Sequence, residues 1–224
     1  MTKPILSYTR APATGSTIFD QSGNGNHGTI NGSPNRQKNS FMGELVLDLD
    51  GVDDYIRTPD STTLNNIFSG DFTVCFWMKK KTINTNSFDN VTMKYDAAST
   101  DDMFRLFFDD RSTQSRSNAL LFIMSNTSSQ FFLATKQDYF ENTGWYYVCA
   151  RIIGNEMTLW RNCEQVANVT FTGTRHSSNA YDLTIGTADT APNFTDMVFD
   201  KYKVYDSGIS QEEMKKNYKS TFRQ

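Results

Sequence analysis

Long apolar runs are missing from this chain, and no stretch approaches the roughly 18 residues that cross a bilayer as a helix. The first fifteen residues, MTKPILSYTRAPATG, hold no hydrophobic centre of a signal peptide, because Pro4 and Arg10 interrupt them. Taken as a native start, they imply synthesis without Sec export and no membrane partner. An excess of one charge is also missing. Lys and Arg total 22 against 25 Asp and Glu, a formal net charge of −3. With a pI near 5.4, there is no electrostatic reason to expect nucleic acid. The basic run from Lys79 to Lys81 falls at a strand end and reads as a solvated face. Cysteine is sparse. Cys75, Cys149 and Cys163 form no C-x-x-C pair and cannot all pair with one another. Two of them lie in apolar strand patterns, so buried inert thiols are expected rather than a disulfide. His27 and His176 lie in loops, with no Ser or Cys motif to make a nucleophile and its base. The N-x-S/T sequons at Asn90, Asn168 and Asn193 read as chance in a chain rich in Asn and Thr.

What is present is a succession of strand patterns. In Leu45-Val46-Leu47-Asp48-Leu49 the odd positions are all Leu, which puts one apolar row on one face. Asp50-Gly51 is a hairpin dipeptide, and Tyr55-Ile56 continues the strand beyond it. Phe72 to Met78 is apolar on nearly every residue, as for a central strand buried on both faces. Further strands are expected at Pro4–Tyr8, Val91–Tyr95, Phe104–Phe108, Leu120–Met124, Phe131–Thr135, Gly144–Ile152, Met157–Arg161, Gln165–Phe171, Tyr181–Gly186 and Phe194–Tyr205. From Met197 to Tyr205 the odd positions are read as one face and the even ones as the other. Phe19 to Thr29, rich in Gly, Asn and Asp, reads as an irregular loop. Ser210 and Glu213 have the spacing of a capping box and open a helix over Gln211–Lys219. No internal repeat and no long linker occurs, so residues 1–224 are read as one all-β domain.

Several of these stretches, in order, resemble the laminin-G-like, concanavalin A-like jelly-roll superfamily. They are D-x-S-G-N-G-N-x-G from Asp20, LDGVDDYIRTPDSTTLN…FTVCFWMK, and G-W-x-x-V…G-x-x-x-L-W-x-N from Gly144. The last strand and the helix with S-x-E-E complete the set, and the resemblance runs from Phe19 to Tyr218. It implies a two-sheet antiparallel β-sandwich with one short C-terminal helix. One departure is Cys163, which stands where the family's second turn usually has glycine and should strain a type I′ turn.

The resemblance also implies sites. Many relatives bind a structural calcium between the N-terminal loop and the last strand, which here points to Asp20, Asn24, Asn26 and Asp200, with Asp50 as an additional ligand. The alternative is that Asp20 and Asn26 only bond their own loop. Enzymes of the superfamily carry E-x-D-x-x-E on one strand. None of Glu44, Glu141, Glu156, Glu164 or Glu213 sits in that motif, and the adjacent pairs Asp101-Asp102 and Asp109-Asp110 would point apart. A non-catalytic chain is therefore expected. Relatives also bind glycans, with an exposed aromatic on a sugar ring. Trp77, Trp145 and Trp160 fall on family core positions, which leaves Tyr139, Phe140, Arg105, Asp109 and Arg111 as the expected ligand-binding set. The resulting reading is a carbohydrate- or surface-recognition module displayed on a virion or an extracellular surface, with glycans or shell proteins as partners and a homo-oligomer allowed. A purely structural capsid-decoration protein and a fragment of a secreted protein stand beside it.

Overall fold

The computed structural model describes residues 2–39, 43–82, 88–95, 102–109, 118–126, 129–140, 144–175, 180–188 and 193–221. Two antiparallel sheets of eight strands pack face to face. The first runs in the order β14 (Glu164–Thr170), β13 (Glu156–Arg161), β12 (Tyr146–Ile153), β7 (Phe72–Lys80), β16 (Asp196–Tyr205), β5 (Leu45–Asp50) and β4 (Asn35–Lys38), with β1 (Leu6–Tyr8) also paired to β16. The second runs β11 (Gln130–Ala134), β10 (Ala119–Ser125), β9 (Asp102–Asp109), β8 (Phe88–Tyr95), β15 (Leu183–Ile185), β6 (Tyr55–Thr58), β3 (Gly28–Asn31) and β2 (Thr17–Ile18). Among the described residues a short helix α1 (Thr62–Asn65), a single 3-10 turn (Ile67–Ser69) and the C-terminal helix α2 (Gln211–Ser220) complete the elements.

Period-two alternation sends Phe72, Val74, Phe76 and Met78 of β7 into the core between the sheets, where they meet Phe104, Leu106 and Phe108 of β9. The opposite face of β7, with Cys75 and Trp77, is buried in a second cluster. There Tyr147, Trp160, Tyr205 and Met214 pack on it, and Tyr218 of α2 stacks on Trp77 at 5.1 Å. This second layer is why Phe72 to Met78 reads as apolar on nearly every residue: β7 is central in its sheet and covered on both sides.

Three local expectations come out differently. Asp50-Gly51 is not the tip of a two-strand hairpin, because β5 pairs with β4 and β16 while β6 pairs with β3 and β15 in the other sheet. The turn is a crossover between sheets. Gly51 is required there, since it has φ +75° and a Cβ would lie 2.9 Å from that of Asp196. Second, Cys75 and Cys149 are not inert thiols. They oppose each other on adjacent strands with Cα atoms 4.2 Å apart and are joined as a disulfide, an arrangement directly opposed antiparallel residues permit. Cys163 does remain a buried free thiol, its pKa pushed up to about 11 by burial. Third, the capping box is half made. Ser210 Oγ accepts the Glu213 N–H at 3.2 Å, but the Glu213 carboxylate accepts instead from the Thr2 amide (2.6 Å) and hydroxyl (2.9 Å). It thereby ties the N-terminal segment to α2. The turn at Asn162-Cys163 does hold both residues at positive φ, 52° and 68°, so Cys163 carries the left-handed strain expected of it.

Candidate binding site

The geometry of β16 creates the site. Met197 and Phe199 face the core, and so do Tyr202 and Val204, so the alternation changes phase between them. Asp200 pairs with Trp77 and Lys203 with Cys75, which leaves Lys201 and Tyr202 opposite the single residue Phe76. This is a β-bulge, with Lys201 at φ +52°. Its effect is to bring Lys201 and Lys203 to the outer side, where strict alternation would have kept them with Met197 and Phe199 on the core side. At the same place the neighbour of β16 changes. β5 pairs with residues 196–199 and β1 with 202–204. The segment after β1 leaves across this junction, anchored by the Ala11 N–H on Leu45 O at 3.1 Å.

Around that junction lie two adjoining clefts that share Thr9, Arg10, Gln21 and Glu44. The inner one, about 420 Å³, reaches Lys201, Lys203 and Asn217 over a floor of Trp77 and Tyr147. The outer one, about 570 Å³, extends along Ala11 to Phe19. Phe19 is 57% exposed and is held edge-on against His27 with ring centroids 5.4 Å apart. Gln21 is fixed by its N–H to Ser7 O at 2.8 Å. Glu44 forms an ion pair with Lys201 at 3.4 Å, while Lys203 donates to the Asn217 amide oxygen at 3.3 Å. Burial, followed by the charge of Lys201, lowers the pKa of Lys203. Asp200 lies beneath, 2% exposed, and neither carboxylate oxygen accepts a side-chain hydrogen bond. Burial raises its pKa to about 7, with the Lys201 charge pulling the other way.

The expected ligand-binding residues do not converge. Phe140 is a core residue, 1% exposed and T-shaped against Phe108 (5.7 Å) and Tyr146 (5.2 Å), so it presents no face to a ligand. Asp109 is fully buried. Arg105 lies on the second sheet over Phe107 and Tyr95, at 4.3 and 4.9 Å from their ring centroids. Tyr139 is half-buried under the Arg161 guanidinium, 3.6 Å away, beside a shallow depression that Asp138 and Tyr146 also line. Arg111 lies outside the described residues. The three tryptophans sit in or against the outer apolar layer. The residues that do assemble a cleft were missed. Only the phase break in the apolar row of β16 signalled them.

The family model described as the concanavalin A-like lectin/glucanases superfamily matches residues 50–215. The chain belongs to that superfamily. No curated protein matches it by sequence. Among solved structures it is similar to the binding domain of Paraclostridial Mosquitocidal Protein 1, with TM-score 0.76 and 13% identity over 97% of this chain and 53% of that one. It is similar too to the binding domain of botulinum neurotoxin DC, solved in complex with rat synaptotagmin II (TM-score 0.73, 15% identity, 98% and 52% coverage). The same binding domain, solved in complex with SialylT, gives TM-score 0.75 and 14% identity over 98% and 52%. The chain thus spans about half the length of these structures, and at such identities the likeness is one of fold.

The superfamily's implied calcium does not fit the arrangement of the implied ligands. A calcium ion takes six to eight oxygens, but the Asp20 carboxylate already accepts from Ser7 N, Ser22 N, Ser22 Oγ and Asn26 N, at 2.7 to 3.1 Å. Asn24 and Asn26 turn their amide N–H groups to Ile5 O, and the Asn26 oxygen accepts from Ser61. These side chains tie the loop to the segment around β1 and to the start of α1, so they do more than bond their own loop. Asp50 stands elsewhere, its carboxylate accepting the Val52 N–H at 2.8 Å beside Asp53 and Asp54. The Asp200 oxygens accept no side-chain hydrogen bond, and the charge that acts on them with opposite sign is that of Lys201. Calcium and a chelator alike are therefore expected to leave the thermal midpoint unchanged. A rise with calcium in differential scanning fluorimetry would restore the implied site.

Proposed function

We propose that the chain is a non-catalytic recognition module that binds a surface saccharide in the cleft between the N-terminal segment and α2. The observation that carries this is Phe19, a large aromatic more than half exposed at the rim of a cleft that Thr9, Arg10, Gln21 and Glu44 also line. A ring of this kind offers an apolar face to a sugar while Thr9, Arg10 and Gln21 offer hydrogen bonds to its hydroxyls. The complexes of the neurotoxin binding domain with SialylT and with synaptotagmin II lend support by analogy of fold. Hydrolysis finds no support in the cleft. A glycosidase needs two accessible carboxyl groups flanking the bond, whereas here Asp200 is sealed from solvent and Glu44 is engaged by Lys201. The reading carries with it display on an outer surface, virion or extracellular, where such ligands are met.

The test is a glycan array followed by calorimetric titration. Phe19→Ala is expected to weaken the affinity for a bound glycan about tenfold, with no change in thermal midpoint. Phe132→Ala, an exposed ring on β11 away from the cleft, should change neither. Absence of any glycan binding, or binding indifferent to Phe19→Ala, would overturn the proposal.

A further inference from the structure

We infer that the inner end of the cleft binds an anionic substituent, so that the saccharide recognised carries a carboxylate or a sulfate there. This rests on the saccharide reading above and deepens it. The protein as a whole is negative, −3, yet this cavity reverses the sign. Its walls carry three cations, Arg10, Lys201 and Lys203, against one carboxylate, Glu44. The β-bulge is the cause, because without it strict alternation would turn Lys201 and Lys203 to the core side with Met197 and Phe199.

The three cations are unequally satisfied. Lys201 has Glu44 at 3.4 Å. Lys203 is half-buried and meets only an amide oxygen, that of Asn217 at 3.3 Å. Arg10 is exposed, and its guanidinium makes no hydrogen bond or ion pair to the described residues. A desolvated ammonium without a counter-charge is costly, and its lowered pKa registers that cost. An anion between Lys203 and Arg10 supplies the missing partner through charge-assisted hydrogen bonds, and the planar fork of Arg10 suits a carboxylate or a sulfate face. The buried Asp200 carboxyl beneath does not oppose this, since burial favours its neutral form. The outer cleft then places the next sugar ring toward Phe19. Charged group inside and neutral ring outside is the orientation the lining dictates.

Matched glycan pairs test this by isothermal titration: 3′-sialyllactose against lactose, a hyaluronan hexasaccharide against its carboxyl-reduced form, and a chondroitin 4-sulfate hexasaccharide against its desulfated form. The anionic member of at least one pair is expected to bind about tenfold more tightly than its neutral partner. That preference should shrink with added salt and be lost in Lys203→Gln. Arg10→Gln, on an exposed side chain, should reduce it in a protein whose fold is not in question. If neutral and anionic members bind equally, the anion inference fails while the saccharide function stands. If no glycan binds, both fail. If only inorganic sulfate binds, the inference also fails, and the cleft holds an adventitious ion only.

Discussion

Phe104→Ala is expected to lower the unfolding free energy by about 3–5 kcal/mol, read as a fall in the urea midpoint at unchanged slope. Phe104 is fully buried at the centre of the sandwich. Its ring stacks on Phe68 at 5.0 Å and meets Phe72 and Phe122 edge-on, each at 5.7 Å. Phe72 belongs to the first sheet and Phe122 to the second, so one ring bridges the two layers. Removing it loses the transfer energy of the ring and leaves a cavity that three other rigid rings cannot close. Phe19→Ala removes the same side chain from an exposed rim and should stay within about 0.5 kcal/mol of wild type. A loss below about 1 kcal/mol for Phe104→Ala would mean that the sheets do not depend on this aromatic cluster.

The contrast between these two phenylalanines marks what the sequence makes legible. Core strands announce themselves by near-continuous apolar runs, as in β7 and in the strand pair β9–β10, because both faces of these strands are covered. Ser210 as an N-cap is legible for a similar reason: the cap bond is local and spans three residues. The crossover at Asp50-Gly51 is not legible, since the dipeptide fixes backbone φ but not which sheet the next strand joins. The Cys75–Cys149 pair is hidden likewise, because strand register decides it across 74 residues of chain. The cleft is the extreme case. Thr9, Arg10, Gln21, Glu44 and the two lysines come from four separate stretches and share no spacing. Tyr139 and Phe140, adjacent in a polar loop, looked more like a ligand site than Phe19 beside glycines. Yet the loop folds Phe140 inward onto Phe108. Residue type alone cannot tell an aromatic that plugs the end of a sandwich from one that stands out of it.

Asp200→Asn is expected to abolish a large part of the pH dependence of stability. The folded-state pKa of Asp200 is raised from 3.8 to about 7 by burial. Below the unfolded value both states are protonated, and the stabilisation relative to the ionised form is fully present. As pH rises the unfolded chain releases its proton first, so stability declines, and the contribution is lost once pH passes about 7. A displacement of this size corresponds to on the order of 4 kcal/mol between the two ends of that window. Asparagine copies the shape of the protonated acid without its titration. Its amide brings N–H donors into a buried site, so the absolute stability of the variant is a poor readout. The difference between wild type and variant as a function of pH is the informative one. Urea midpoints from pH 4 to pH 8 should show wild type falling relative to Asp200→Asn from about pH 4 to about pH 7 and holding a constant offset from it above. Parallel curves would show that the Asp200 carboxylate is already ionised and partnered near neutral pH. The negative charge beside Lys201 would then be permanent, and the inner cleft would lose part of its positive character. Stability and the sign of the inner cleft therefore both depend on the ionisation of one buried carboxyl group, which sits just before the bulge in β16.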